Sequence, residues 1–421
     1  MPQIWQGTLA ALLLALGIKL GFSLRFRPLS APVDSIRLLC QAMKTKGDGM
    51  TPRRALATGL AGSVGVGNLS GVACALVAGG PGAVFWMWIA ALLGMVTAFA
   101  EGALAARWPG RGAEGYIRAA GFSKGSVLFC WACVLSALGM GGMAQANAAA
   151  DALCIWGMPR WLCAVLLTGT ALLFTGRSLH TVGKLTERLV PAMTVLFLLL
   201  CAGVLIRFPT RILPAFESIV RGAFGLRPCL GGAAGYGIAR ALSQGVVRGA
   251  FTNEAGLGTG PFAYGSCKGE KPAVMGVLAS VQVLIDTPIL CTLTAVCLLC
   301  AGWAPGTDGA ALCLSAFSNA WGTPGEVLLA VCVVLFAVAS MISWSAYGRE
   351  ALSAFCKPGR FFTGLFAAAV AAGVCFEAGG VLAVCDLFNL LMAIPNAAAL
   401  CRLTKSGEPP LDTSRVENLH G

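Results

Sequence analysis

The stretch ATGLAGSVGVGNLSGVACALVAGGPGAVFWMW, residues 57–88, decides the fold of this chain. It is apolar enough to cross a bilayer, yet glycines and one asparagine interrupt its first part. A helix in lipid must satisfy its own backbone hydrogen bonds, so a break at membrane depth is tolerated only where it lines a protein cavity. Membrane transporters hold solutes at breaks of this kind. The stretch therefore predicts a discontinuous membrane helix with a binding site at its break.

The composition is typical of a polytopic membrane protein. Of the 421 residues, 57% are hydrophobic and only 11% are charged, and the mean hydropathy is +0.79. A soluble domain carries about 25% charged residues, so this chain has too little polar surface to be one. The basic residues that give the net charge of +12 lie mostly between the apolar segments and do not form one stripe. This distribution indicates a lipid bilayer as the partner and argues against nucleic acid.

Eleven apolar segments of about membrane length follow one another along the chain. The first has no basic region before it and no small-residue cleavage site after it, so we interpret it as a retained span rather than a signal peptide. The predicted spans are residues 8–24, 55–78, 82–104, 126–150, 161–179, 189–206, 230–247, 273–301, 326–346, 361–376 and 381–400. The sequence thus predicts an all-α fold of about eleven transmembrane helices.

The basic loops predict the orientation. The positive-inside rule places the N-terminus outside and the C-terminus in the cytoplasm of a multi-pass protein of the cell membrane. Arg160 and a cluster at Arg207, Arg211, Arg221 and Arg227 disobey the rule, because they lie in loops on the outer side. An amphipathic segment lying along the membrane surface would account for the cluster.

Removing the first span leaves ten, and two halves of five spans would have opposite topology. An inverted repeat is therefore possible, with an extra N-terminal helix and basic loop (1–54), a transporter core (55–403) and a short cytoplasmic tail (404–421). Within the core, repeat one would cover about 55–206 and repeat two about 230–400. The second and seventh spans then correspond, and both contain glycine clusters, at 59–71 and 230–245. Paired interruptions of this kind predict a transporter's binding site.

The first glycine cluster contains several groups that could bind a solute. Unwound backbone at Gly65 and Gly67 can offer N–H groups to a carboxylate and carbonyl oxygens to a small cation, while Asn68 adds an amide and Ser63 a hydroxyl. Gly67 and Gly71 are equally typical of a GxxxG packing face. We favour a binding site because Asn68 lies among the glycines.

Two amides interrupt the fourth span. Gln145 and Asn147 lie in a helix of small residues, where they either face a cavity or bridge neighbouring helices. Gln145 follows another glycine cluster, which favours a position facing the cavity.

Charged residues mark the seventh and eighth spans. The seventh ends in RGAFTNEAGLGTGP, in which Arg248 and Glu254 are close enough to pair and Asn253 begins a compact turn. This pattern is typical of a cytoplasmic gate or hinge, and equally of a plain structural salt bridge. Asp286 is an ionisable residue inside the eighth span, which makes it a functional candidate unless it is a solvated helix cap.

The ninth span carries Ser340, Ser343 and Trp344. Serine hydroxyls one turn apart offer oxygen ligands to sodium, although serine also bonds back to its own helix. Trp344 either walls a small pocket or packs against lipid.

Nothing in the sequence equips the chain as an enzyme. Two CxxC pairs, Cys130/Cys133 and Cys297/Cys300, lie within apolar spans, and the chain has only two histidines, so we interpret these cysteines as packing residues. The glycine clusters lack the spacing of phosphate-binding loops. We expect no cofactor and no bound metal beyond a coupling ion.

Several motifs together resemble the sodium:alanine (amino acid:cation) symporter family. They are AGSVGVGNLSGVA, GGPGAVFWMW with the following FAEG, AQANAAADAL, VGKLTERLVPAM, VVRGAFTNEAGLGTGP, IDTPILCTLTA, SWSAYGRE and LFNLLMAIPN, spread over residues 50–403. The resemblance implies a leucine-transporter-like five-plus-five inverted repeat and symport of alanine or glycine with sodium. It also implies that Gly65, Gly67, Asn68, Gln145 and Trp344 bind the substrate and that Ser340 binds sodium; Ser63 and Ser343 are further candidate sodium ligands from the residues themselves.

The chain departs from the usual family pattern at three places. Val66 stands where the family usually has threonine, Gly142 where it has asparagine, and Arg349 where it has glutamate. Two alternatives to sodium-coupled amino-acid uptake stay open. One is the same fold moving another small solute or coupled to protons, and the other is a membrane sensor that does not transport.

Overall fold

The computed structural model describes residues 2–225, 232–302, 309–376 and 378–404, and all the regular structure in these ranges is helical. The predicted all-α class is therefore confirmed for this part of the chain.

The helices are numbered here in chain order. The first eleven are α1 (Pro2–Ser23), α2 (Arg27–Ser30), α3 (Pro32–Lys44), α4 (Pro52–Ser63), α5 (Ser70–Gly79), α6 (Gly82–Arg107), α7 (Glu114–Ala119), α8 (Ser123–Ser136), α9 (Gln145–Cys154), α10 (Arg160–Phe174) and α11 (Leu179–Arg207). The others are α12 (Ile212–Ala223), α13 (Gly232–Asn253), α14 (Gly260–Tyr264), α15 (Pro272–Leu284), α16 (Thr292–Cys300), α17 (Gly309–Trp321), α18 (Thr323–Leu352), α19 (Gly359–Cys375) and α20 (Ala378–Leu403). Short 3₁₀ turns occur at Val66–Asn68 and Pro209–Arg211.

Five helical stretches in the described ranges are long and apolar enough to cross a membrane: Gly82–Arg107, Ser123–Cys154, Leu179–Arg207, Pro272–Cys300 and Thr323–Leu352. Helices α4 and α5 form a sixth if they count as one span, which bends by 62° at its break. Shorter apolar helices lie at Gly7–Ser23, Arg160–Phe174 and Gly359–Cys375. The break in the second predicted span is thus present, whereas the total of eleven spans stays a prediction.

Two of the long spans are continuous only because a π-helical segment joins their halves. Residues Ala137–Ala144 connect α8 to α9, and Ile285–Cys291 connect α15 to α16. The second segment contains Pro288, whose missing N–H removes a helical hydrogen bond. Such π segments occur frequently at functional sites because they widen the helix and redirect its side chains.

Glycine allows the helices around α6 to pack closely. A Cβ at Gly102 would lie 2.5 Å from the carbonyl oxygen of Met275 on α15. A Cβ at Gly245 on α13 would lie 2.2 Å from the carbonyl oxygen of Ala83. Helix association in lipid depends on such close approach rather than on burial of apolar surface from water. The helices α13 and α15 therefore form a tight layer against α6.

Helix α12 lies within the arginine cluster at 207–227 and is amphipathic. Helix α12 buries Ala215, Ile219 and Ala223, while Leu213 and Val220 are exposed. An exposed apolar face on a short helix is typical of a segment lying in the membrane interface. This supports the predicted surface segment at 207–227, of which residues 226 and 227 lie outside the described residues.

Candidate functional site

The first break separates α4 from α5 and exposes backbone that neither helix uses. Gly65 is extended, with φ −127° and ψ −159°, and its N–H donates to Asn68 Oδ1 at 3.1 Å. The next N–H, of Val66, donates to Gln145 Oε1 at 3.3 Å. Side-chain amides therefore satisfy the two N–H groups that the helix leaves free.

Asn68 also connects the break to the π segment of the eighth span. Its Nδ2 donates to Asp286 Oδ1 at 2.8 Å and to the Asp286 carbonyl oxygen at 3.2 Å. Thr287 Oγ1 donates to Asp286 Oδ2 at 2.9 Å. Asp286 is completely buried, so it is not a solvated helix cap. Both ends of its carboxyl group are held by donors close to the break.

Ser340 and Gln145 lie against Gly65 on the other side. A Cβ at Gly65 would lie 2.6 Å from Ser340 Oγ and 3.1 Å from Gln145 Oε1, so only glycine permits this approach. Ser340 Oγ is buried and has no hydrogen-bond partner among the described residues. A buried hydroxyl without a partner is costly. Ser340 therefore has hydrogen-bonding capacity that a ligand could use.

The other two candidate sodium ligands have protein partners. Ser63 Oγ accepts from Gln282 Nε2 at 3.3 Å, and Ser343 Oγ donates to the carbonyl oxygen of Thr58 at 3.3 Å. Gly67 lies within the 3₁₀ turn of the break, where a Cβ would meet Thr252 Cγ2 of α13 at 3.3 Å. The structure therefore gathers Gly65, Gly67, Asn68, Gln145 and Ser340 at the break, whereas the hydroxyls of Ser63 and Ser343 beside it are hydrogen-bonded to other residues.

The second break lies in the compact turn that the sequence predicts after Asn253, and not in the glycine cluster at 230–245. Helix α13 runs without interruption over Gly232–Asn253, and the helix stops only at residues 254–259, before α14. Leu230 and Gly231, at the start of the predicted interruption, lie outside the described residues. The prediction at 230–245 is wrong for the rest, because Gly245 serves close packing against α6. Gly256 and Gly258 instead adopt φ +91° and +80°, which requires glycine.

The predicted ion pair between Arg248 and Glu254 is also wrong. Glu254 Oε1 accepts from Trp344 Nε1 at 3.1 Å, and Oε2 accepts from Thr259 Oγ1 at 2.6 Å. Arg248 forms no ion pair within the described ranges, and its Nε has no hydrogen-bond partner there. Neutral donors from within the bundle hold the Glu254 carboxyl, because the turn at the second break points it inward.

Trp344 belongs to the second break rather than to the first. It is fully buried and packs against Gly141, where a Cβ would lie 2.2 Å from Trp344 Cβ. Its indole N–H donates to Glu254. Since Ser340 is one turn earlier on α18, the same helix contacts both breaks.

Sequence reasoning missed Glu101. This residue of α6 is 3% exposed, and its Oε1 accepts from Gly258 N–H at 2.9 Å and from Asn396 Nδ2 at 2.6 Å. Tyr116 donates its hydroxyl to Asn396 Oδ1 at 2.5 Å. A single acidic residue in an apolar helix of 26 residues was the available signal.

The three departures from the family pattern lie in different surroundings. Val66 is buried in the 3₁₀ turn of the first break. Gly142 faces α19, since a Cβ there would meet Val370 Cγ2 at 3.6 Å. Arg349 donates to the carbonyl oxygen of Gly176 at 2.6 Å. Only the Val66 departure therefore alters the first break directly.

The CxxC cysteines agree with a packing role, since Cys130, Cys133, Cys297 and Cys300 are all buried and free. Within the described residues, no group of three or more His, Cys, Asp or Glu side chains could hold a metal ion.

Comparisons with known proteins give a consistent result. A model of the sodium:alanine symporter family matches residues 2–409. The chain is 33% identical to the sodium/alanine symporter AgcS of Methanococcus maripaludis over 428 residues, which covers 95% of this chain and 92% of that protein. It is 31% identical to the probable sodium/glutamine symporter GlnT of Bacillus subtilis, with 96% and 86% covered. It is 30% identical to an uncharacterized transporter of Haemophilus influenzae, with 96% and 92% covered.

Proposed function

The chain belongs to the sodium:alanine symporter family, and from this premise we propose that it takes up small neutral amino acids, alanine or glycine, together with sodium. Members of this family are amino acid:cation symporters of the membrane. The amino acid and the ion are both cargo, so the proposal needs no resident cofactor and no enzymatic step.

The composition of the first break is the observation that carries the proposal. Gly65 N–H and Val66 N–H are capped by the side-chain oxygens of Asn68 and Gln145. A substrate carboxylate can take over these N–H groups, and the released amide oxygens then accept from the substrate ammonium. Every buried donor and acceptor keeps a partner during this exchange, which makes the exchange inexpensive. The packing at Gly65 is tight, since a Cβ there would lie 2.6 Å from Ser340 Oγ, and this favours a substrate with a short side chain.

Sodium fits beside the substrate at Ser340. Sodium is a hard cation and takes oxygen ligands, and the Ser340 hydroxyl is buried without a partner. Unwound carbonyl groups at the break can complete its shell. Symport requires that sodium and amino acid favour the same state of the protein, so each must tighten the binding of the other. Sodium and the amino acid would both lie next to Gly65, and this shared neighbour provides the coupling.

Uptake into proteoliposomes tests the proposal. Radiolabelled alanine and glycine are supplied with an inward sodium gradient, with equal sodium on both sides, and with potassium in place of sodium. We expect accumulation above the outside concentration only with the gradient. Equal uptake in all three conditions, or none with correctly folded protein, would reject sodium-driven amino-acid symport.

The proposal includes the arrangement in the membrane. It comprises an extra N-terminal helix, repeats at about 55–206 and 230–400, an N-terminus outside and a C-terminus in the cytoplasm, the orientation that the basic loops predict. Cys229 would also be external, so a Cys229→Ser background is used. In it, three cysteines that are exposed among the described residues can test this topology: Cys40 and Cys356 would be cytoplasmic, and Cys375 would be external. A membrane-impermeant maleimide applied to intact cells should label the protein, and Cys375→Ser should abolish the labelling. Labelling that instead depends on Cys40 or Cys356 would invert the topology.

A further inference from the structure

A small cavity lies between α6, the second break and α15. Its volume is about 10 Å³, and its polar lining comes from Glu101, Asn253, Glu254, Tyr264 and Gln282. The two carboxyl residues are 3% and 4% exposed, and Asn253 is 2% exposed. The volume is roughly the room that one water molecule needs. Two carboxyl residues thus line one small cavity within the helix bundle.

Neither carboxyl group has a basic partner. Within the described part of the chain, no lysine, arginine or histidine forms an ion pair with Glu101 or Glu254. The titratable groups that face the pair are themselves acids; they are Tyr116 on α7, Cys133 on α8, Tyr264 on α14, Asp286 in the π segment after α15, and Tyr347 on α18. Two unpaired negative charges this deep in a bundle are very costly. A proton or another cation bound by the pair would remove this cost.

Asn253 distinguishes between a metal cation and a hydrated proton. Its Oδ1 accepts from Ala255 N–H at 3.0 Å, which fixes the orientation of the amide. Its Nδ2 is buried and has no hydrogen-bond partner among the described residues. An amide N–H needs an acceptor, which a water oxygen supplies and a sodium ion does not. Asn253 also lines a second small cavity, beside Gly94 and Thr97, and at either cavity its free N–H favours a water molecule over a sodium ion.

We propose that this cavity is a proton-binding site, in which Glu101 and Glu254 share a proton through one water molecule held by Asn253. The site is separate from the first break, where the proposed substrate and sodium ligands lie. Trp344 connects the two regions, because its indole N–H donates to Glu254 and its helix carries Ser340. Proton binding at the second break can therefore bias the same helix that the first break contacts.

Infrared spectroscopy of the purified protein tests the site without any transport. A protonated carboxyl group has a carbonyl stretching band that a carboxylate lacks, and the band shifts in deuterated water. We expect Glu101→Gln and Glu254→Gln each to reduce the neutral-pH band of the wild-type protein. Both substitutions keep a side-chain oxygen as acceptor, and a thermal unfolding scan checks that each variant is folded.

Two matched variants separate this signal from other carboxyl groups. Glu187→Gln removes a carboxylate that accepts from both Arg53 and Arg54, and it should leave the band unchanged. Asp286→Asn measures the contribution of the other buried carboxyl group. A band that is the same in the wild type and in both the Glu101 and Glu254 variants would mean that the pair is ionised, which would overturn the proposal and favour sodium in the cavity.

A second experiment rests on the proposed uptake function. With a fixed sodium gradient, alanine uptake by the wild type should fall several-fold as the pH rises and the pair loses its proton, whereas uptake by Glu101→Gln should vary less with pH. Uptake that varies with pH equally in both proteins would contradict the role of the pair. If the wild type transports no alanine at any pH, the proposed function fails, and the infrared result still decides the proton site.

Discussion

The two helix breaks differ in what closes them. At the first, neutral amides of Asn68 and Gln145 cap the free N–H groups, and the Ser340 hydroxyl has no partner among the described residues. At the second, the carboxyl groups of Glu101 and Glu254 accept from backbone, indole and hydroxyl donors. Exchangeable neutral groups suit a zwitterion and a sodium ion, whereas a firmly held acidic pair suits a gate or proton site. We therefore propose that the breaks have separate tasks although both contact α18.

Removal of the Asn68 side chain should reduce alanine uptake more than any other substitution proposed for the two breaks. Asn68→Ala leaves the buried Asp286 carboxyl without its amide donor, which costs about 1.5–3 kcal/mol, or roughly 10-fold to 150-fold in affinity. We expect alanine uptake to be lost while the protein remains folded by size-exclusion chromatography. Asn319→Ala, at an exposed position, should transport normally. Normal uptake by Asn68→Ala would remove the first break from the substrate path.

The close approach at Gly65 provides the next test. A methyl group there would collide with Ser340 Oγ at 2.6 Å, whereas one at Gly71 would have its nearest contact at 3.9 Å, with Thr252 Cγ2. Overpacking of this kind costs about 1–3 kcal/mol, so Gly65→Ala should reduce uptake by about tenfold or more. Gly71→Ala should remain close to the wild type. Equal effects of the two substitutions would mean that both glycines serve helix packing only.

These glycines also show how far sequence can predict the fold and the site. The break at Gly65, its amides and Ser340 were identifiable, because polar residues beside glycine in an apolar span have few other uses. The second break was placed wrongly at 230–245, since a glycine in a membrane helix marks either unwinding or close packing. Gly245 packs against the Ala83 carbonyl, whereas Gly256 and Gly258 have positive φ. Whether a glycine unwinds its helix or permits close packing depends on which helix lies opposite it.

Partners that are distant in sequence were equally difficult to predict. The bond from the Trp344 indole N–H to Glu254, 90 residues away in the chain, was not predicted, and the role of Trp344 in the substrate pocket stays a prediction. The nearby Arg248 seemed the natural partner for Glu254. Tertiary packing decides such pairs, because a buried carboxyl accepts from whichever donors the surrounding helices present. The family motifs reduced this difficulty, because they contain most of these residues and therefore assign them to one transport unit.

Two neighbouring amide side chains on α9 have different partners, and only one of them contacts the first break. Gln145 caps Val66 N–H at the first break, whereas Asn147 Nδ2 donates to the carbonyl oxygens of Gly373 and Phe376 at 3.0 and 2.8 Å. Gln145→Ala removes about 1 kcal/mol, so the KM for alanine should rise about fivefold. Asn147→Ala should lower the unfolding temperature and leave KM unchanged. The opposite pattern would assign the binding role to Asn147.

The smallest effect should come from the second break. Trp344→Phe keeps the aromatic packing against Gly141 but removes the N–H that bonds Glu254. The loss of about 0.5–1 kcal/mol should reduce the maximal uptake rate about threefold with little change in KM. A large rise in KM would show that Trp344 contacts the substrate, so the two breaks would not have separate tasks.

The central claim is that sodium and the amino acid bind together at the first break. Equilibrium binding of radiolabelled alanine to purified protein, measured over a range of sodium concentrations, tests it most directly. We expect sodium to tighten alanine binding in the wild type and in Ser345→Ala, whose hydroxyl bonds its own helix, and to lose most of this effect in Ser340→Ala. Alanine affinity that does not depend on sodium in the wild type, or that depends on it equally in Ser340→Ala, would contradict the claim.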